Sequence, residues 1–311
     1  MGRFQTRSWV GAAIVTAALI SSAGYAADGV GVCGTVRLGE TTVATLGNSP
    51  FVTVFANGAA VTLLLDTGAQ TTVLTPAAAQ RVGAQRPRIE AQGEMSGIAG
   101  SLPAGEVELR SLSIGSVLIP WRRARVAQLS VANAFAVPID GVLGTDSLSS
   151  FDVDLDLAGH RMVLYRSQTC AGAAPAWTEP YDRIAARRSL GDHLIFPIQL
   201  DGRWITAFID TGAQLTVLSA QAAAAALGLT APVLARDPKI LVHGAAAEEL
   251  GARVHRFAQL WVGTELMRNP EIAVTDLRLD DAALVLGVDF LNRRRMWMSY
   301  GSQQIFLSRR I

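Results

Sequence analysis

Leu65-Asp66-Thr67-Gly68-Ala69-Gln70 returns as Ile209-Asp210-Thr211-Gly212-Ala213-Gln214, 144 residues further along the chain. In each copy an apolar run ends at an aspartate, and a Thr-Gly pair follows. Glycine at that point lets the main chain bend and approach the carboxylate without a Cβ clash. Two carboxylates, each presented at a bend after a strand, suggest a paired-acid site. Whether the two phrases face each other decides most of the functional reading.

The repeat extends well beyond the phrase. Upstream, Asn57-Gly58 and Asp201-Gly202 are hairpin-turn signals, since both pairs tolerate positive φ. Downstream, Thr72-Val73-Leu74-Thr75 matches Thr216-Val217-Leu218-Ser219, and each copy runs into an Ala-rich helical segment, 76–83 and 220–227. Thr75 and Ser219 stand where N-caps belong. Further on, Val142-Leu143-Gly144-Thr145-Asp146-Ser147-Leu148 matches Val285-Leu286-Gly287-Val288-Asp289-Phe290-Leu291, now at an offset of 143. The copies end with Met162-Val163-Leu164 opposite Ile305-Phe306-Leu307. Ordered blocks in near-constant register identify a duplication rather than chance likeness between apolar strands.

Composition agrees with two folded halves. The chain has 311 residues, 50% hydrophobic and 17% charged, enough to bury a core in each half. A net charge of +1 gives no electrostatic basis for nucleic acid or an anionic membrane surface as partner. Arg293-Arg294-Arg295 reads as a solvated approach to a strand. His160, His193, His243 and His255 are dispersed without ligand spacing, so no metal and no cofactor are expected.

The N-terminus reads as an export signal. Arg3 and Arg7 precede an apolar run from Trp9 to Ile20, and small residues lead to Gly24-Tyr25-Ala26-Ala27. Cleavage after Ala26 or Ala27 fits; the apolar core is short for a span, with an uncleaved anchor as the alternative. The expected mature protein is exported, periplasmic or secreted, without stable membrane insertion. Cys33 and Cys170 bracket the first repeat. An even count in an exported chain makes a disulfide between them the expectation, two unpaired thiols being the alternative.

The segments are therefore 1–27, signal; 28–40, a lead-in read as an interface strand, with a pro-segment as the alternative; 41–166, first repeat; 167–192, an Ala-, Pro- and Gly-rich linker; and 193–311, second repeat. Phe51–Phe55, Val61–Leu65, Val107–Leu109 and Phe151–Leu155 alternate or run apolar, as strands do. With one Ala-rich helix per half and a helical turn after each Leu-Gly-x-Asp block, the fold is mostly β, barrel-like or sandwich-like.

On the residues just quoted, the paired Asp-Thr-Gly-Ala turns, each followed near 78 residues later by Leu143-Gly144 or Leu286-Gly287, the chain resembles the retropepsin-like aspartic proteases. It is similar to a fused pair of retropepsin-sized units, as in exported bacterial aspartyl proteases, and the likeness covers nearly all of 41–311. The resemblance implies two acid-protease β-barrel domains in tandem, related by a pseudo-two-fold axis. It implies that Asp66 and Asp210 meet, share one proton and activate a water for attack on a peptide bond. Thr67 and Thr211 would cross-bond the two loops. Gly68, Ala69, Gly212 and Ala213 would support the carboxylates, while Leu143-Gly144 and Leu286-Gly287 pack behind them. Gly97-Ile98-Ala99-Gly100 resembles a flap tip, and His243-Gly244 stands at a comparable place in the second copy. The implied partner is a peptide or protein substrate, and the implied state is a monomer that is internally a pseudo-dimer.

Two departures qualify the likeness. Retroviral units place Asp after Asp-Thr-Gly-Ala, paired with an Arg after the later Gly; here Gln70 and Gln214 replace the Asp, and Thr145 and Val288 replace the Arg. Pepsin-like enzymes place Ser or Thr after the Gly, where a hydroxyl lowers the carboxyl pKa; Ala69 and Ala213 cannot, which predicts a mildly acidic to near-neutral optimum. Two rival readings stay open: a non-catalytic peptide- or protein-binding module on the same fold, and a dimer in which each half pairs with another chain.

Overall fold

Each half opens on a hairpin set by its turn residues. Ser49–Ala56 pairs with Ala59–Leu65, and Leu194–Leu200 pairs with Arg203–Ile209. Asn57 and Asp201 take φ of 53° and 46° ahead of their glycines, the left-handed backbone that two-residue hairpins require. Their carboxyl and amide oxygens are used a second time. Asn57 Oδ1 accepts the amides of Arg110 and Ser111, and Asp201 Oδ1 those of Ala258 and Gln259. The same turn thus pins a distant strand in both halves. The structure is a computed structural model and describes residues 34–87, 93–97, 100–130, 139–166, 173–243, 249–279 and 281–309. The signal segment, Cys33 and Cys170 with their expected disulfide, Ile98, Ala99 and Gly244 lie outside the described residues.

The two halves share one strand order. Ala59–Leu65 runs parallel to Gly141–Leu143, which pairs antiparallel with Val73–Leu74, itself parallel to Arg123–Val126. Arg203–Ile209 runs parallel to Leu284–Leu286, antiparallel to Val217–Ser219, itself parallel to Glu271–Thr275. Leu63, Leu65, Leu74 and Leu143 are buried in the first half, and Ile209, Leu218, Leu284 and Leu286 in the second. Burying a leucine fully contributes about 1.5–3 kcal/mol, so these short central strands are held by their side chains as much as by their ladders.

A further antiparallel sheet joins the halves. Its order is Tyr181–Ala185, Gln304–Ser308, Arg295–Ser299, Phe151–Asp156, Arg161–Arg166, Arg37–Leu46. The junction is the pairing of Phe151–Asp156 with Arg295–Ser299, in which Asp154 faces Trp297 and Asp156 faces Arg295. Strand Arg37–Leu46 runs unbroken across position 40, pairing first with Arg161–Arg166 and then with Ser49–Ala56. Tyr181–Ala185 and Arg187–Arg188 repeat this with Gln304–Ser308 and Leu194–Leu200. Part of the stretch 167–192 is therefore strand, equivalent to the lead-in of the first half.

Helices are short. Pro76–Arg81 starts at Thr75, whose hydroxyl accepts the Ala78 amide at 3.2 Å. Ala220–Leu227 starts at Ser219, which makes no side-chain cap bond; Ser219 instead ends the strand Val217–Ser219. Thr145–Leu148 and Val288–Leu291 form the turns after the Leu-Gly blocks. Among the described residues no helix is long and apolar enough to cross a membrane.

Arg293-Arg294-Arg295 is not a solvated approach. Arg294 is 4% exposed, pairs with Glu265 at 2.6 Å and lies over the Phe290 ring. Arg295 grips the buried Asp154 through two nitrogens at 2.6 and 2.8 Å. Only Arg293 is exposed, because the strand that follows is interior to the joining sheet.

Candidate active site

The parallel pairings deliver both aspartates to one place. Asp66 follows Ala59–Leu65 and its amide donates to the Leu143 carbonyl at 3.1 Å; Asp210 follows Arg203–Ile209 and its amide donates to Leu286 at 2.9 Å. The Thr67 hydroxyl donates across to the Ile209 carbonyl, and the Thr211 hydroxyl to the Leu65 carbonyl. Each hydroxyl also accepts the other threonine's amide, at 3.0 and 3.1 Å. Both threonines are buried, so this four-bond crossing is shielded from water.

The turns supply their own donors. Asp66 Oδ1 accepts the amides of Gly68 and Ala69, both at 2.9 Å; Asp210 Oδ1 accepts those of Gly212 and Ala213, at 2.8 and 3.1 Å. The two carboxyls stand close enough for each to act on the other's protonation. A Cβ on Gly68 would stand 2.3 Å from Asp210 Cγ, and one on Gly212 2.5 Å from Asp66 Cγ. Each glycine is therefore the floor on which the opposite carboxyl rests.

Burial pushes both carboxyls upward from the ordinary aspartate range, Asp66 well above it. The charge of Asp210 adds to the rise at Asp66, while the turn amides pull both groups down. Two carboxyls this close cannot both ionise cheaply. Asp210 is 5% exposed and Asp66 is more open, which leaves the pair reachable from one side.

Leu143, Gly144, Leu286 and Gly287 stand behind the turns. The Thr145 and Val288 amides donate to the Ala69 and Ala213 carbonyls, both at 2.8 Å. A Cβ on Gly144 would meet Thr71 backbone at 2.6 Å, and one on Gly287 would meet Leu215 backbone at 2.5 Å. The next residue in each block is one the motif reading passed over. Asp146 accepts the Thr72 amide and hydroxyl at 2.9 and 2.7 Å, and Asp289 accepts those of Thr216 at 2.9 and 2.8 Å. Both threonine hydroxyls then take the Gly144 and Gly287 amides at 3.2 Å. The signal lay in the repeat itself, since both the Thr and the Asp recur in register.

Where retroviral units have an Asp–Arg pair, neutral contacts cross between the halves. Gln214 donates to the Ser49 hydroxyl at 3.2 Å, and the Gln70 side chain lies against Gly191. Thr145 donates to the Gly191 carbonyl at 2.9 Å, a bond Val288 cannot make. His193, passed over as an isolated histidine, lies with Nε2 3.0 Å from the Gly68 carbonyl. Its ring stacks on Phe208, centroids 4.8 Å apart. A signal existed here too: Thr45-Leu46-Gly47-Asn48-Ser49 matches Ser189-Leu190-Gly191-Asp192-His193 at the common offset of 144.

Two hairpins stand in equivalent places. Gly93–Gly97 pairs with Gly100–Glu108, closing at Gly97 opposite Gly100; Lys239–His243 pairs with Glu249–Arg256, closing at His243 opposite Glu249.

Comparison with known proteins bears on the fold and the family. Residues 52–147 match the family described as "Aspartyl protease", and residues 196–293 match the one described as "gag-polyprotein putative aspartyl protease". Together the two matches span more than half of the chain. Comparison with curated sequences gives no match. Among solved structures, the chain is similar to the aspartic proteinase from Irpex lacteus, with a TM-score of 0.52 and 13% identity over 88% of this chain and 97% of that one. At that identity the likeness concerns the fold alone. The chain is a member of the retropepsin-like aspartic proteases, built as two such units in tandem.

Proposed function

We propose that this aspartic protease is an endopeptidase with a single site, in which Asp66 and Asp210 together activate a water against a peptide bond. The observation that carries the reading is that each carboxyl rests on the glycine of the opposite turn, the two turns being held together by the Thr67–Thr211 crossing. With one proton on the pair, the ionised carboxylate takes a proton from water as its oxygen attacks the scissile carbonyl. The protonated partner donates to the carbonyl oxygen, where negative charge develops. Collapse of the tetrahedral intermediate breaks the C–N bond. The leaving nitrogen takes a proton from the pair, and a carboxylic acid and an amine are released. No donor need move far, because the turn amides already hold each Oδ1.

The hairpins that close at Gly97–Gly100 and His243–Glu249 are proposed to cover the bound peptide from either half. Ala69 and Ala213 offer no hydroxyl to hold a carboxyl pKa down, and burial raises it. This supports activity in mildly acidic to near-neutral solution. The export signal and the two cysteines support an exported, periplasmic or secreted protein with a Cys33–Cys170 disulfide, acting as a monomer.

Single substitutions Asp66→Asn and Asp210→Asn test the reading. Complete and equal loss of peptide cleavage from each is the outcome of one shared site. Partial loss from each would point to separate sites formed with other chains. A parent protein that binds peptide but cleaves none between pH 3 and 8, roughly the span over which such pairs titrate, would favour the binding module.

A further inference from the structure

The second half reaches over the loop that carries Asp66 with the turn from Ser189 to His193. The turn is closed on itself: the Ser189 amide donates to the His193 carbonyl at 2.9 Å and the His193 amide to the Ser189 hydroxyl at 3.1 Å. It is also fastened outward. The Gly191 carbonyl accepts the Thr145 hydroxyl, the Ser149 hydroxyl donates to Asp192 at 3.2 Å, and Asp192 pairs with Arg188 at 2.6 Å. Its last member, His193, bonds the carbonyl of Gly68, inside the Asp-Thr-Gly phrase of the other half.

A carbonyl only accepts, so Nε2 carries a proton whether the ring is neutral or charged. The bond to Gly68 therefore survives titration, and Nδ1 is the atom that gains or loses charge. Phe208, against which the ring is stacked, lies two residues before Asp210, on the strand that ends at Ile209. The imidazole is thus held by the Asp66 loop on one side and the Asp210 strand on the other. Its counterpart in the first half is Ser49, which cannot ionise.

We propose that His193 is a positioning residue of the aspartate pair, anchoring the Asp66 loop through the Gly68 carbonyl and setting a titratable ring beside Asp210 in this half alone. The proposal rests on the reading of the pair as catalytic. The charged groups that act on the ring are Asp210, Asp192 and Asp281. Asp192 is paired with Arg188 and Asp281 with Arg187, while among the described residues Asp66 and Asp210 make no ion pair with an Arg or Lys. Burial holds the imidazole below its ordinary value, against the opposing pull of Gly68 and Asp210. Near neutrality it is a neutral donor. As pH falls through its depressed value it becomes a cation, and a cation there favours the ionised pair.

The test uses His193→Gln and His193→Ser in the full chain. Gln keeps an N–H donor without a titrating charge; Ser installs the residue of the other half. The acid limb of kcat/KM is expected to move to higher pH by about one unit in both, the low end of what a neighbouring opposite charge does to a carboxyl. On the plateau, kcat is expected to fall roughly tenfold in the Ser variant and to recover in the Gln variant, with KM unchanged. By linkage, the His193 ring titration followed by NMR in the parent is expected to shift downward on Asp210→Asn. An acid limb unmoved in both variants, or a ring titration indifferent to Asp210→Asn, overturns the proposal. So does an equal loss of kcat in both with the limb unmoved, which marks a packing role. The NMR arm needs no turnover and judges His193 even if the parent cleaves nothing or the Ser variant does not fold. Absent cleavage counts against the proposed reaction instead.

Discussion

The Thr67 hydroxyl donates to the Ile209 carbonyl at 2.8 Å, and the Thr211 hydroxyl returns the bond to the Leu65 carbonyl at 2.6 Å. Each threonine thus stabilises the strand end that presents the other half's aspartate. Thr67→Ala and Thr211→Ala each leave a buried amide and a buried carbonyl without their partners. Each is expected to cost about 1–3 kcal/mol in urea unfolding and to depress kcat, while Thr→Ser spares both. The double alanine variant is expected to cost less than the sum, since the first change already opens the crossing.

Asp66 sits well above the ordinary aspartate range in the folded protein. Protons therefore bind the folded state more tightly than the unfolded one between about pH 3.9 and the folded value. Across that window the stability associated with Asp66 is lost as pH rises. Asp66→Asn removes the effect, so its melting temperature is expected to exceed that of the parent near neutrality. The difference should close below about pH 4. A gap that is constant from acid to neutral pH would sink this account.

Gly68 and Gly212 admit no side chain. Gly68→Ala puts a methyl 2.3 Å from Asp210 Cγ, and Gly212→Ala 2.5 Å from Asp66 Cγ. The carboxyls must part to make room, and a displacement near 1 Å is worth roughly a hundredfold in rate. Peptide cleavage is expected to fall by at least that much in either variant, with far-ultraviolet circular dichroism unchanged. Full activity in either would show that the pair need not touch.

Arg295 and Asp154 form a bidentate pair across the joining sheet, and the Asp154 side chain is only 1% exposed. Arg295→Met leaves that carboxylate buried without its cation, a loss of about 3–5 kcal/mol. Adding Asp154→Leu is expected to restore most of it, because the cost lies in the stranded charge. Equilibrium unfolding of the two single variants and the double variant measures this directly.

The fold was legible where sequence alone dictates backbone. Asn57-Gly58, Asp201-Gly202 and the two Asp-Thr-Gly turns have few conformations open to them, and their recurrence at one offset gave the architecture. Residues whose roles depend on a partner remote in sequence were harder to read. Arg294 and Arg295 look solvated until Glu265 and Asp154 are brought to them by strand pairing. His193 falls in register with the repeat, yet its role was hidden, because its partner is a main-chain carbonyl that any residue could supply. Ser219 occupies a cap position by pattern, yet its backbone is used to end a strand.

The sheet order that fuses two like units also frees them to differ. Ser49 stands on one side and His193 on the other; Val288 lacks the hydroxyl that Thr145 directs at Gly191. A peptide has a direction, and a site with a true two-fold axis reads it equally well from either end. These unlike residues flank the aspartate turns themselves, so in the proposed site a chain entering N-terminus first would meet different chemistry from one entering reversed.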